Sequence, residues 1–198
     1  AVNRLDAVAK GDVHIECGTT TNTLSRQEIV DFSNLFYMTG ANFLTTATSG
    51  VGDINDLDGK RIAVVANTTT INVLRKRLAE GMIKAELDIV DNHREAMKRL
   101  EKRKVVAVAG DRATLLGLIF ASPKRKSLRL TADLLSYEPY AFPVRRNDAD
   151  YRLVVNRALS DIYLSGQVGR IWEKWFNEFG VRPTRLLLTL YQLNSLSE

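Results

Sequence analysis

Cysteine occurs once in the 198 residues, at Cys17, so no disulfide within the chain can hold the fold and stability must come from a buried core. That scarcity leaves the compartment open, because a chain without bridges is compatible with cytosol and periplasm alike. Histidine is nearly as rare, and His14, His93 and Cys17 fall short of the four-ligand set of a structural zinc site, so neither metal nor cofactor is expected. With only 12 glycines and four prolines, collagen-like and low-complexity classes are excluded. Charge is missing from residues 32–52, a length that could cross a bilayer. Asn34, Asn42, several threonines, two serines and three glycines make insertion too costly, and the stretch reads as extended and soluble. The first residue is Ala1, with no basic-then-apolar leader, so any export signal is expected to be already removed or never present.

What is there is ordinary globular composition, 45% hydrophobic and 26% charged, enough for one domain or two small ones. The net charge of +5 directs attention to anionic partners: nucleic acid, an acidic membrane surface or a small carboxylate. The densest basic clusters are Lys98, Arg99, Lys102, Arg103 and Lys104, then Lys124, Arg125 and Lys126. Neither is interleaved with the aromatics on which single strands stack, so both read as solvated faces and no nucleic-acid partner is expected.

Between Gly59 and Ala121, strand-length apolar runs alternate with segments of helical period, which predicts a βαβαβ unit. Ile62 to Val65 is a short apolar run suited to a strand buried on both faces. Asn67 or Thr68 can cap the helix after it, with Ile71, Leu74 and Leu78 on one face. Leu87 and Ile89 mark a second strand, and Asn92 can cap a helix carrying Ala96, Met97 and Leu100. Val105 to Val108 is expected as the third strand, followed by a buried helix from Arg112 to Ala121. Parallel strands joined this way are neighbours, and ligands of open α/β sheets bind at strand carboxyl ends. Those ends carry Thr68, Thr69 and Thr70, then His93, then Asp111.

Outside this unit, residues 12–16 alternate as a strand, and Phe36 to Thr46 and Tyr137 to Val144 read as extended segments that could pair and cross between two bodies. Residues 148–165 predict a helix with Val154, Ala158 and Ile162 on one face, and Val168 to Phe179 a second carrying Trp172, Trp175 and Phe176. Leu186 to Leu190 has strand length. A chain that starts in one body, visits a βαβαβ body and returns describes two lobes, divided at 1–44, 45–138 and 139–198.

Four threonines, a glycine and Arg26 fall within residues 17–26. Hydroxyls and backbone N–H groups can surround an anion there, and a guanidinium presents two parallel donors to a carboxylate. The alternative is a Thr-rich turn with Arg26 on the surface. Thr68 to Thr70 sit where a helix start favours a carboxylate or phosphate, or one of them simply caps. Glycine is lacking there and Lys76 lies too far along, which excludes a Walker-type loop. Asp111 can pair an ammonium group or cap the helix after it, and His93 can contact a ligand or merely occupy a first turn. Taken together these groups suit a carboxylate, an ammonium and a further acidic group, which describes an α-amino acid.

The ordered series Gly11-Asp12, Glu16 to Asn22, Arg26, Val30 to Ser33, Asp56 to Lys60, Asn67 to Thr69, Asn92-His93, Val106 to Val108 with Asp111, Tyr140, and Glu173 to Phe176 resembles periplasmic amino-acid-binding proteins of ABC transporters, solute-binding protein family 3, and most of all their glutamate/aspartate branch. The resemblance implies a periplasmic-binding-protein-like clamshell of two α/β lobes joined by two crossing strands, closing on a free amino acid without altering it, with a membrane permease as partner and the periplasm as location. Carried over by position, Arg26 holds the α-carboxylate with Thr21 and Thr68, Thr19 contacts the amino group, Asp111 pairs with it, and His93 approaches the side-chain carboxylate. Val65 stands where the family has a threonine, which removes one hydroxyl contact. The family's opening segment has no counterpart before Arg4, so the first lobe is expected to be incomplete, weakening binding or favouring a homo-oligomer in which a neighbour covers the open face. The rival expectations are a cyclohexadienyl dehydratase-like enzyme on the same fold, a ligand-sensing domain, and a truncated remnant that binds nothing.

Overall fold

The computed structural model describes residues 4–177 and 182–196. Its contacts divide the chain into two units, one of Ala1–Met38 with Pro139–Glu198 and one of Thr39–Glu138.

In the Thr39–Glu138 unit, strands β2 (Ala41–Thr46), β3 (Arg61–Val65), β4 (Glu86–Val90), β5 (Ala107–Asp111) and β6 (Leu128–Leu130) form one sheet in the order β4-β3-β5-β2-β6. β3 is parallel to both β4 and β5, as the βαβαβ pattern requires, and β2 runs antiparallel to β5 and β6. Residue alternation sends each strand's apolar side chains to two faces. Phe43, Ile62, Val64, Ala107 and Ala109 pack with Leu74 and Leu78 of helix α3 (Thr69–Glu80). Leu44, Ala63, Val65 and Val108 pack with Ala96 and Leu100 of α4 (His93–Glu101) and Leu115 of α5 (Arg112–Ala121). Covering both faces is what lets β3 and β5 be almost wholly apolar.

Three details depart from the sequence reading. The third strand begins at Ala107, two residues after Val105, although the Val106 N–H already donates to the Arg61 carbonyl on β3. Phe36 to Thr46 is two strands divided at Gly40, where an added Cβ would lie 2.0 Å from the Ser136 carbonyl oxygen, so no other residue fits without a shift. Its second half joins the five-stranded sheet, beside the unforeseen β6.

In the other unit, β1 (Asp31–Thr39) and β7 (Glu138–Val144), the strands on which the chain leaves and returns, form a two-stranded sheet. Residues 15–22 run along β7 through antiparallel bridges Ile15–Val144 and Thr21–Tyr140. The predicted strand at 12–16 is therefore reduced to one bridge at Ile15; the left-handed Gly11 (φ 82°) and the exposed run from Asp12 to His14 offer nothing for a ladder to continue on. Helices α1 (Arg4–Lys10), α2 (Leu24–Gln27), α6 (Ala149–Leu164), α7 (Gln167–Phe176) and α8 (Arg185–Leu193) complete it.

Leu186 to Leu190 is helical, correcting the expected strand. The Thr184 hydroxyl accepts from the Leu187 N–H at 3.2 Å, and Leu187, Leu190 and Tyr191 make one buried face. In α6 the buried face is Val155, Leu159, Ile162 and Tyr163, rotated from the predicted one, with Val154 exposed. Tyr163 and Tyr191 meet in a tilted ring contact at 5.0 Å, the Tyr163 hydroxyl donates to the Leu35 carbonyl at 3.2 Å, and burial pushes both phenols well above their usual range. Trp172 stacks between Tyr37 and Phe176; Phe179 lies outside the described residues.

Asn42 ties the approach to β7 onto the sheet. It is fully buried, its amide donates to the carbonyls of Thr131 (3.1 Å) and Asp133 (2.8 Å), and its oxygen accepts from the Thr131 hydroxyl at 3.1 Å. Asn42→Ala leaves those buried groups unmatched and is expected to lower stability by about 1–3 kcal/mol. A reduced urea midpoint at unchanged m-value is the readout.

Candidate functional site

Because β4, β3 and β5 are adjacent and parallel, their carboxyl ends share one edge of the sheet, and each end leads to a helix start at which one of the predicted side chains lies. Thr68 is the extended residue before α3 (φ −106°, ψ 153°). Its hydroxyl donates back to the Val65 carbonyl at 2.8 Å and gives no cap to the helix, so the N–H groups of that first turn are left for another acceptor. Asn67 beside it is left-handed at φ 58°.

His93 is the first residue of α4, behind Asn92, whose side chain accepts from the Glu95 N–H at 2.9 Å. Burial pushes the His93 imidazole below its usual pKa, and the positive end of α4 acts in the same direction. It is a neutral donor–acceptor near pH 7.

Asp111 ends β5 and caps α5, and both readings of this residue need its position. Its Oδ1 accepts from the N–H groups of Ala113 (2.8 Å) and Thr114 (3.3 Å) and from the Thr39 hydroxyl (3.4 Å). Pairing of Ala41 with Asp111 brings the start of β2 to the same edge. Glu138, unforeseen in the sequence, is only 3% exposed; it accepts from the hydroxyls of Thr69 (2.9 Å) and Ser136 (3.2 Å). A lone acid beside a proline carries no pattern, so only the pairing with Thr69 reveals it.

The remaining predicted residues belong to the first unit and lie within residues 19–26, a loop that runs into α2. Thr21 bridges to Tyr140, and the Asn22 N–H donates to the Pro139 carbonyl at 2.8 Å. Thr20 turns inward, fully buried with its hydroxyl donating to Glu16, while Thr19 on the other side is exposed and its carbonyl accepts from Arg4 at 3.4 Å. Arg26 sits on the short α2, capped by Thr23 (3.3 Å), and its guanidinium donates to the Thr21 carbonyl at 2.8 Å. That bond aims the fork by fixing one of its N–H groups and leaves a half-buried cation beside the threonines. The structure therefore brings Thr19, Thr21 and Arg26 to one loop and the short helix after it, and Thr68, His93 and Asp111 to one sheet edge. Among the described residues no cluster of three His, Cys, Asp or Glu could hold a metal, and no helix is long and apolar enough to cross a membrane.

The family model of bacterial extracellular solute-binding proteins, family 3, matches residues 2–178. The chain belongs to this family. The L-glutamate/L-aspartate-binding protein of Pseudomonas aeruginosa is 34% identical over 175 residues, covering 88% of this chain and 58% of the relative. The Bacillus subtilis ABC transporter glutamine-binding protein GlnH is 25% identical over 176 residues, covering 88% of this chain and 62% of that protein. An ancestral arginine-binding protein bound to glutamine superposes with a TM-score of 0.76 at 26% identity, over 88% of this chain and 76% of the other. The chain thus spans under two thirds of the curated relatives it matches, and its α/β fold is that of the amino-acid-binding members of the family.

Asp111→Ala removes a helix cap and is expected to destabilise by about 0.5–2 kcal/mol in urea titration, whereas Asp111→Asn keeps a capping oxygen and stays near the parent. For His93, the unfolded chain binds more protons than the folded one below pH 6.5, so stability falls as pH drops through that value towards the lower folded pKa. Urea midpoints from pH 8 to 5 should show that fall, and His93→Gln should flatten it.

Proposed function

We propose that this protein binds a free α-amino acid, with glutamate or aspartate favoured, for delivery to the membrane permease of an ABC importer in the periplasm. The reading assigns Arg26 with Thr21 and Thr68 to the α-carboxylate, Thr19 and Asp111 to the ammonium, and His93, as a neutral donor, to the side-chain carboxylate. It is carried by the sheet edge: three parallel strands end together on a free helix start, an imidazole and a carboxylate that accepts hydrogen bonds. Support comes from the Pseudomonas relative, whose name specifies glutamate and aspartate. Glutamine and arginine are the competing ligands, named by other relatives.

A dehydratase needs a positioned proton donor. Asp111 Oδ1 is engaged by two N–H donors and a hydroxyl, an arrangement that suits an ammonium partner and opposes proton donation.

Titration calorimetry with glutamate, aspartate, glutamine and arginine tests the reading. Heat is expected with an acidic amino acid, and Arg26→Ala should weaken it roughly 10- to 150-fold, the loss of one charge-assisted bond of about 1.5–3 kcal/mol. Thermal melts confirm that the variant is folded. Silence with all four ligands would overturn the proposal in favour of a non-binding remnant, and preference for arginine or glutamine would overturn the role given to His93.

A further inference from the structure

The two basic runs read from the sequence as solvated faces converge in the fold. β2 starts opposite Asp111 and passes Ala107 at Thr45, so Thr46 lies at the sheet edge away from Asp111, and Leu128 at the start of β6 pairs with it there. A pocket of about 200 Å³ opens at that edge, lined by Thr46, Thr48, Glu101, Arg103, Lys124 and Ser127 among others. One acid, Glu101, stands against six bases across 101–104 and 124–126.

Arg103 is placed there by a rigid device. The Arg103 N–H donates to the Leu100 carbonyl at 3.0 Å and the Lys104 N–H to the Arg99 carbonyl at 2.9 Å, the paired bonds of a Schellman helix end. The left-handed position of that motif favours glycine, yet an arginine occupies it at φ 55°. The motif fixes the Arg103 backbone at the rim of the pocket.

Its neighbour Arg99 is committed to Asp88 and Glu95, whereas neither Arg103 nor Lys124 forms an ion pair among the described residues. The Thr46 and Thr48 hydroxyls likewise make no hydrogen bond among the described residues, and the Ser127 hydroxyl donates to the Lys124 carbonyl at 2.9 Å, helping to set that turn. A guanidinium fork, an ammonium and two hydroxyls around a small hollow match the oxygens of a tetrahedral oxyanion. The volume holds a phosphate with some water and falls below the roughly 300–1,000 Å³ of organic-ligand and cofactor pockets.

We propose that this pocket binds a phosphate-type oxyanion, either free phosphate or the phosphate of an anionic lipid headgroup. The site is independent of the amino-acid reading, since none of its residues is assigned to that ligand.

The test follows backbone amide shifts of the full chain during titration with inorganic phosphate, against chloride at matched ionic strength. A parallel arm sediments the protein with phosphatidylcholine vesicles that contain or lack phosphatidylglycerol. The comparison variant is Arg103→Gly with Lys124→Gln. Glycine relieves the left-handed residue, so its melting temperature should equal or exceed that of the parent, and lost binding cannot be ascribed to unfolding. Saturable shifts at Thr46, Thr48, Arg103 and Ser127, weakened at least tenfold in the variant, are expected. Binding only to phosphatidylglycerol vesicles, lost in the variant, would support the site and assign the lipid as its source. Shifts scattered over exposed lysines, equal responses of parent and variant, or no response in either arm would overturn the proposal. Amino-acid titration of the variant should match the parent, which separates this site from the other.

Discussion

The antiparallel pairing of β2 with β5 is the constraint on which the larger sheet depends. Three parallel strands alone would leave the open edge of β5 exposed to unwanted pairing. β2 closes that edge, carries β6 on its far side, and places Phe43 and Leu44 on opposite faces to join the two helical layers. The same register sets Ala41 opposite Asp111 and lets Thr39 reach the carboxylate. A one-residue slip would exchange the two faces and move Thr39 away from Asp111 together, so packing and site geometry are specified by one ladder.

Polar groups at the carboxyl edge do two jobs each. Asp111 caps a helix and remains an acceptor, Thr68 ends a strand and opens a helix start, and Glu138 gathers the hydroxyls of Thr69 and Ser136 where the chain leaves the sheet. Helix starts and strand ends both leave backbone groups needing partners, and side chains that meet the need are held in one orientation. Such fixed donors and acceptors fit the zwitterion proposed above, because a ligand gains most from groups that need not be ordered when it arrives.

Periodicity made the βαβαβ segment legible, because apolar residues at intervals of two and of three to four are direct consequences of burial on a sheet and on a helix. It failed where another constraint ruled. Leu186 to Leu190 is a run short enough for a strand, and the Thr184 cap with the spacing of Leu187, Leu190 and Tyr191 makes it a helix. The stretch from Phe36 to Thr46 breaks at Gly40 because the Ser136 carbonyl passes there, a contact between residues far apart in the chain. Glu138 was silent for the same reason: its partner Thr69 is remote in sequence.

Local chemistry along the chain determined the parallel strands, the caps at Asn92 and Asp111, and the residue types gathered in the Thr-rich loop, since each follows from neighbours within one turn or one strand. Tertiary structure alone decided that β2 enters the sheet antiparallel, that Glu138 meets Thr69, and that two separate basic runs frame a single hollow. Those outcomes depend on contacts between distant segments, whose geometry is set only when the chain buries its apolar faces together.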